Sequence, residues 1–256
     1  MHKQKSHGIG YMTGRWPLDP EKSTLFFIHG AGGSSLFWKE QINGLTARAN
    51  TLAIDLPGHG RSIGEGMDTV EDYARAVAAF IKNVHVPNPI PCGLSLGGAI
   101  TQQLLLDYRG LAKAGILIST GSRLKVAPVI FETIDKSYSG YIDMISKLAA
   151  SKKTDPSLVA LFKEDIARGT PEITHGDFCA CNSFDVTEHL ASIDVPVLVV
   201  TAEDDKLTPP KFGELLVESI KNAGQAHIID AGHIAPIEKP KEVNQAITIF
   251  LDQNGL

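Results

Sequence analysis

The sequence predicts an α/β protein with a mostly parallel central sheet, helices on both faces and an inserted helical cap. Three observations predict it. Short apolar, β-branched runs alternate with segments of helical period, the pattern of strand–helix–strand units. Glycine, carboxylate and histidine clusters fall in the loops that directly follow those runs. The alternation then stops between about Gly121 and Thr187, where helical segments succeed one another with no convincing strand between them. These boundaries divide the chain into a core of residues 1–120 and 188–256 and a cap of residues 121–187.

The elements are justified in chain order. Gly8 to Thr13 reads as an antiparallel edge strand. Leu25 to His29 and Thr51 to Asp55 read as buried strands, each bounded by turn formers. Apolar residues return every three or four positions from Val70 to Val84, which predicts a helix. The stretch Asn88 to Gly93 is too rich in proline for a good strand, because proline cannot donate to the ladder. A short strand is still placed there, since the motif after it needs one. A helix follows from Leu96 to Tyr108, then a buried strand from Ala114 to Ser119. Helical segments around Val129 to Leu148 and Pro156 to Arg168 make up the cap. The core resumes with a strand at Val195 to Thr201, a helix at Lys211 to Lys221, a strand at Ala226 to Asp230 and a helix at Lys239 to Leu251.

Composition narrows the class. The 256 residues are 43% hydrophobic and 21% charged, and the mean hydropathy is zero. That is an ordinary globular balance with apolar residues enough for one large core. A net charge of -5 and basic clusters no longer than Lys152-Lys153 argue against a nucleic-acid partner. Three cysteines, Cys92, Cys179 and Cys181, cannot frame a disulfide scaffold and suit a reducing compartment, so a cytoplasmic location is expected. Nor do Cys179 and Cys181 have the further ligands a structural zinc would need. No apolar stretch approaches the ~18 residues of a membrane span, and the N-terminus lacks the apolar region of a signal peptide.

The chemistry starts at Gly93-Leu94-Ser95-Leu96-Gly97-Gly98, a G-x-S-x-G pattern between a short strand and a helix. Such a turn holds its serine in a strained conformation, with glycines around it to let the chain close. Serine needs a base, and the base needs a carboxylate to set its tautomer. Glu203, Asp204 and Asp205 sit in the loop after the Val195 strand. Spacing to Pro209 favours Asp205, with Asp204 as the alternative. Of nine histidines, His233 alone follows a strand after those acids. Ser95, Asp205 and His233 are therefore the candidate nucleophile, acid and base. The oxyanion of the tetrahedral intermediate needs two backbone donors. Leu96, directly after the serine, offers one, and Ala31 in the loop His29-Gly30-Ala31-Gly32-Gly33 offers the second. That loop could instead cradle a phosphate, but neither the G-x-G-x-x-G nor the P-loop pattern is present. His59, in the turn Asp55 to Ser62, competes as a second catalytic group, although a plain turn shaping the rim is favoured. Candidate substrate contacts are Gly30, Trp38 and Ile234 in the core and Phe131, Tyr138, Tyr141 and Phe162 in the cap. For the aromatic residues, simple packing of cap on sheet is the alternative.

Together HGAGGSS at His29, DLPGHGRS at Asp55, GLSLGG at Gly93, AEDDKLTPP at Ala202 and AGHIAPIEKP at Ala231 resemble the α/β-hydrolase family in order and over nearly the whole chain. The resemblance implies the α/β-hydrolase fold, a cap above the active site, and the roles given above to Ser95, Asp205, His233, Ala31 and Leu96. Ala202 stands where glycine is common and Leu94 where histidine is frequent; neither touches the mechanism. CGLSLGG at Cys92 and STGSR at Ser119 look like stretches of 3-oxoadipate enol-lactone hydrolases, which implies a small ester, lactone or related acyl substrate. A serine nucleophile argues against the dehalogenase and epoxide hydrolase branches, where an aspartate is expected. Carbon–carbon bond hydrolysis and thioester hydrolysis remain open on the same triad, as does a non-catalytic ligand-binding homologue. No cofactor or metal is implied, and a monomer or homodimer is expected.

Overall fold

The computed structural model describes residues 1–256. Eight strands form one sheet: β1 (His2–Ser6), β2 (Ile9–Thr13), β3 (Thr24–Ile28), β4 (Asn50–Ile54), β5 (Pro89–Leu94), β6 (Gly115–Ile118), β7 (Val197–Ala202) and β8 (Ala223–Ile228). Their spatial order is β1-β2-β4-β3-β5-β6-β7-β8. The β1/β2 and β2/β4 pairs are antiparallel and all others are parallel. The helices are α1 (Lys39–Leu45), α2 (Val70–Val84), α3 (Leu96–Asp107), α4 (Pro128–Lys136), α5 (Tyr138–Ala149), α6 (Pro156–Ile166), α7 (Pro171–Ser183), α8 (Pro210–Ser219), α9 (Ala235–Glu238) and α10 (Pro240–Gln253).

The central parallel strands are buried on both faces, so they are largely apolar. In β3, Leu25 and Phe27 enter one core while Phe26 and Ile28 enter the other. Side chains of α1 and α10 pack into the first core, and those of α2, α3 and α8 into the second. Helix α2 shows how the sequence sets an element. Thr69 accepts the Asp72 amide at its N-terminus, His85 stops it in the left-handed region at φ 54°, and Val70, Tyr73, Ala74, Val77, Phe80 and Ile81 make one buried stripe.

Three expectations need correction. Residues 2–6 form a strand, so the outer edge is β1, and β2 lies one place inside it. The sequence HKQKS shows no alternation because an outer strand with lysines on it need not bury either face. At the opposite edge β8 begins at Ala223 and is mostly exposed rather than buried. The proline-rich stretch forms the strand expected of it, and that strand, β5, is a central one. Ser95 donates its amide to the Ile118 carbonyl, so by alternation Pro91 turns its nitrogen toward β6 as well, one residue before that pairing begins at Cys92. No ladder bond is lost there. Finally, the segment Val129 to Leu148 is two helices, broken where extended Ser137 ends α4 and caps α5 through its hydroxyl. After α6 comes α7, which the periodicity did not predict.

Candidate active site

Ser95 stands between β5 and α3 at φ 54°, ψ -115°, a conformation that L residues seldom hold without support. The support is explicit. Its amide donates to Ile118 at 3.0 Å, and its carbonyl accepts the Ala99 amide at 3.0 Å and the Thr120 hydroxyl at 2.9 Å. The turn also needs bare neighbours. A Cβ on Gly93 would overlap the Gly97 carbonyl, and one on Gly97 would overlap the Ile28 carbonyl.

The loops after β7 and β8 bring the other two candidates together. His233 Nδ1 lies 3.1 and 3.0 Å from the two Asp205 oxygens, and both residues are buried. Asp205 also accepts the Leu207 and Thr208 amides at 2.9 and 2.8 Å and the Thr208 hydroxyl at 2.8 Å. Burial alone raises the Asp205 carboxyl, but the adjacent His233 and these donors outweigh it and hold the group below its ordinary range. Asp204 turns away and accepts the Ser151 hydroxyl. With Nδ1 committed to Asp205, His233 keeps Nε2 for the cavity that it lines together with Ser95. Those two residues are not hydrogen-bonded to each other in this state. Thr208, three positions after Asp205, reaches both Asp205 and His233 Nδ1. An acid–x–x–threonine spacing in the same loop was the signal for it.

The loop after β3 contributes the other donor. Gly32, Gly33, Ser34 and Ser35 all spend their amides, on Asp177, the Gly30 carbonyl, Asp165 and Asp55. The Ala31 amide has no protein acceptor, and Ala31 lines the cavity. Leu96 is the first residue of α3, so its N–H has no acceptor within the helix.

The cavity has a volume of about 320 Å3, and 18 of its 25 lining residues are hydrophobic. Of the expected contacts, Gly30, Tyr141, Phe162 and Ile234 line it. Trp38 does not. It is fully buried beneath, stacked on Phe27 at 4.9 Å. Phe131 packs on His175 and Phe178 instead, and Tyr138 bonds to Ile166 and Thr174. Phe37, Leu124, Ile130, Ile145 and Phe212 also form the wall without having been singled out as contacts, because periodicity marks an apolar residue and not the surface it meets. His59 does not line the cavity: it is buried and bonded to Asp177.

A mostly parallel sheet with a strained serine after its fifth strand, and an acid and a histidine after its last two, defines the α/β-hydrolase class. The comparisons agree. Residues 25–246 match the alpha/beta hydrolase family, and the chain belongs to it. It is 24% identical over 238 residues to 3-oxoadipate enol-lactonase 2 of Acinetobacter baylyi, covering 89% of this chain and 88% of that one. It is 28% identical over 223 residues to the pimeloyl-[acyl-carrier protein] methyl ester esterase of Neisseria meningitidis, covering 82% and 86%. A solved thermophilic esterase superposes with a TM-score of 0.85 at 30% identity, covering 98% of this chain and 97% of that one. The protein is a hydrolytic enzyme of this family. None of its helices is long and apolar enough to cross a membrane.

Proposed function

We propose that the protein hydrolyses carboxylic ester or lactone bonds of small, largely apolar substrates through an acyl-enzyme. Ser95 attacks the carbonyl while His233 Nε2 takes its proton, and Asp205 fixes the histidine tautomer and stabilises the imidazolium. The oxyanion is held by the Ala31 and Leu96 amides. His233 then returns the proton to the departing alkoxide, and water activated by the same residue releases the acid. Residues 121–187 act as the cap that sets specificity over a core of 1–120 and 188–256. The observation that carries this reading is the strained Ser95 facing the same apolar cavity as His233, which is backed by a buried Asp205.

Charge refines the substrate class. Lys125 and Lys206 are the only lysine or arginine residues in the lining, and the lining contains no carboxylate. Neutral and anionic esters are therefore favoured over cationic ones. The test is covalent labelling by a fluorophosphonate together with turnover of short aryl esters and lactones. Ser95→Ala is expected to lose both while keeping the wild-type melting temperature within a few degrees. Turnover that survives in Ser95→Ala would end the proposal.

A further inference from the structure

The oxyanion loop is built partly by a helix distant in sequence. Asp177, in the middle of α7, has a side chain with no exposed surface, and it collects three donors. Oδ2 takes the Gly32 amide at 2.8 Å and His59 Nε2 at 2.8 Å, while Oδ1 takes the Tyr73 hydroxyl at 2.6 Å. His59 Nδ1 faces the Pro57 carbonyl at 3.0 Å. A ring with an acceptor at each nitrogen needs a proton on both, so His59 is an imidazolium and the buried carboxylate has its countercharge. Burial works against that charge, but Asp177 outweighs it and leaves the His59 imidazole raised above its ordinary range.

Ala31 lies between two peptide planes, and both are pinned. The Gly30–Ala31 plane is held at its carbonyl by the Gly33 amide at 3.1 Å and by His29 Nδ1 at 2.8 Å. The Ala31–Gly32 plane is held at its N–H by Asp177. The free Ala31 N–H lies in the first plane, which is bonded only at its carbonyl, and the rigid second plane anchors the Ala31 Cα end of it, so pinning both planes leaves the amide one direction. Gly32 takes φ 68° just after this point, and a Cβ there would meet Thr174 of α7. No other hydrogen bond holds the second plane.

We propose that Asp177 is a positioning residue for the oxyanion hole, acting through Gly32 to aim the Ala31 amide, with His59 supplying the charge opposite its carboxylate. The active site is thus complete only when α7 is docked on the loop after β3. This rests on the hydrolase reading above. An asparagine at this position loses the charge that faces His59, and its NH2 must meet either Gly32 and His59, which only donate, or the Tyr73 hydroxyl, which already accepts the Met67 amide and would have to give up donating to residue 177.

The experiment compares wild type, Asp177→Asn and Tyr73→Phe, all first shown to be folded by circular dichroism and melting. Its readouts are kcat and KM for an aryl ester, the fluorophosphonate labelling rate and the affinity for an aryl boronic acid that mimics the tetrahedral intermediate. Losing one oxyanion donor costs roughly 100-fold or more in kcat, so a displaced donor is expected to cost about 10- to 100-fold. In Asp177→Asn, kcat, labelling rate and boronate affinity should fall together while KM stays within about threefold. Tyr73→Phe leaves the Gly32 bond intact, and it should lower the melting temperature with kcat within about threefold. Should Asp177→Asn not fold, His59→Gln removes the countercharge but keeps a donor, and the same joint fall is expected. A folded Asp177→Asn or His59→Gln with wild-type kcat and boronate affinity overturns the assignment, as does a loss in Tyr73→Phe equal to that in Asp177→Asn. Failure of folded wild type to label would instead overturn the hydrolase reading itself.

Discussion

At the scale of single residues, two buried imidazoles 4.9 Å apart take opposite charge states. His29 receives the Leu56 amide on Nε2 at 3.1 Å, so that nitrogen is bare and the ring is neutral. Burial, reinforced by the neighbouring His59, lowers its pKa from 6.5 to about 4. The unfolded chain therefore binds a proton that the native state refuses, and stability contributed at His29 is lost as pH falls from about 6.5 to 4. Integrated over that window the loss is roughly 3 kcal/mol. His59 has the reverse sign. Its contribution is full below about 6.5 and fades as pH rises through its raised native value. Urea midpoints measured against pH should consequently peak near the ordinary histidine range, and His29→Asn should flatten the acid limb alone. The same scale separates the two candidate acids. Asp205→Asn is expected to cost kcat about 10,000-fold, by analogy with the loss of the tautomer-fixing carboxylate in other triads. Asp204→Asn should stay within about threefold, since Asp204 bonds to Ser151 and not to His233; steady-state kinetics on both variants decides it.

At the scale of elements, the helices between β6 and β7 hold the loops that carry the chemistry. Besides α7 and α6, which hold the Gly32 and Ser34 amides, the end of α5 accepts the His233 amide through Ala149 at 2.6 Å. Just beyond, Glu238 accepts the Ser151 amide at 2.8 Å and the Gly232 amide at 2.8 Å, and it also takes the Thr154 hydroxyl. Removing this carboxylate leaves several donors unpaired at a buried position, each costing about 1–3 kcal/mol. Glu238→Ala should lower stability by about 3 kcal/mol in urea unfolding and reduce kcat more than it raises KM. A stability loss below about 1 kcal/mol would mean that water replaces the carboxylate. None of this stapling follows from periodicity. Helix α7 turns Thr174, Asp177, Ala180 and Cys181 inward, a stripe so small and polar that no hydrophobic period marks it. Its start was legible all the same, in Thr170 followed by Pro171.

At the scale of the whole molecule, the sheet gathers the C-terminal ends of β3, β5, β7 and β8 beneath the helical layer, and one apolar cavity forms between them. The lysines at its wall, Lys125 and Lys206, are exposed, so their effect is modest and screened by salt. An aryl ester with a terminal carboxylate should show kcat/KM about two- to fivefold above its trimethylammonium counterpart at low ionic strength. The ratio should approach one in 0.5 M salt, about where the screening length falls to a few ångströms, and Lys206→Ala should halve it or more.

Local sequence determined the parts that depend on near neighbours. The buried strands β3, β4, β6 and β7, the stripe of α2, the G-x-S-x-G turn at Ser95, and the loops bearing Asp205 and His233 were all legible, since each is set by backbone conformation and burial within a few residues. Tertiary structure alone decided the rest. That β5 tolerates Pro91 depends on where β6 begins, and the outer place of β1 depends on what β2 pairs with. Which aromatic residues meet the cavity depends on how four helices lean against the sheet. The buried Asp177–His59 pair joins residues 118 positions apart, and its chemistry exists only after the chain has folded, because the His59 imidazole is raised by the carboxylate brought beside it, against the cost of burial.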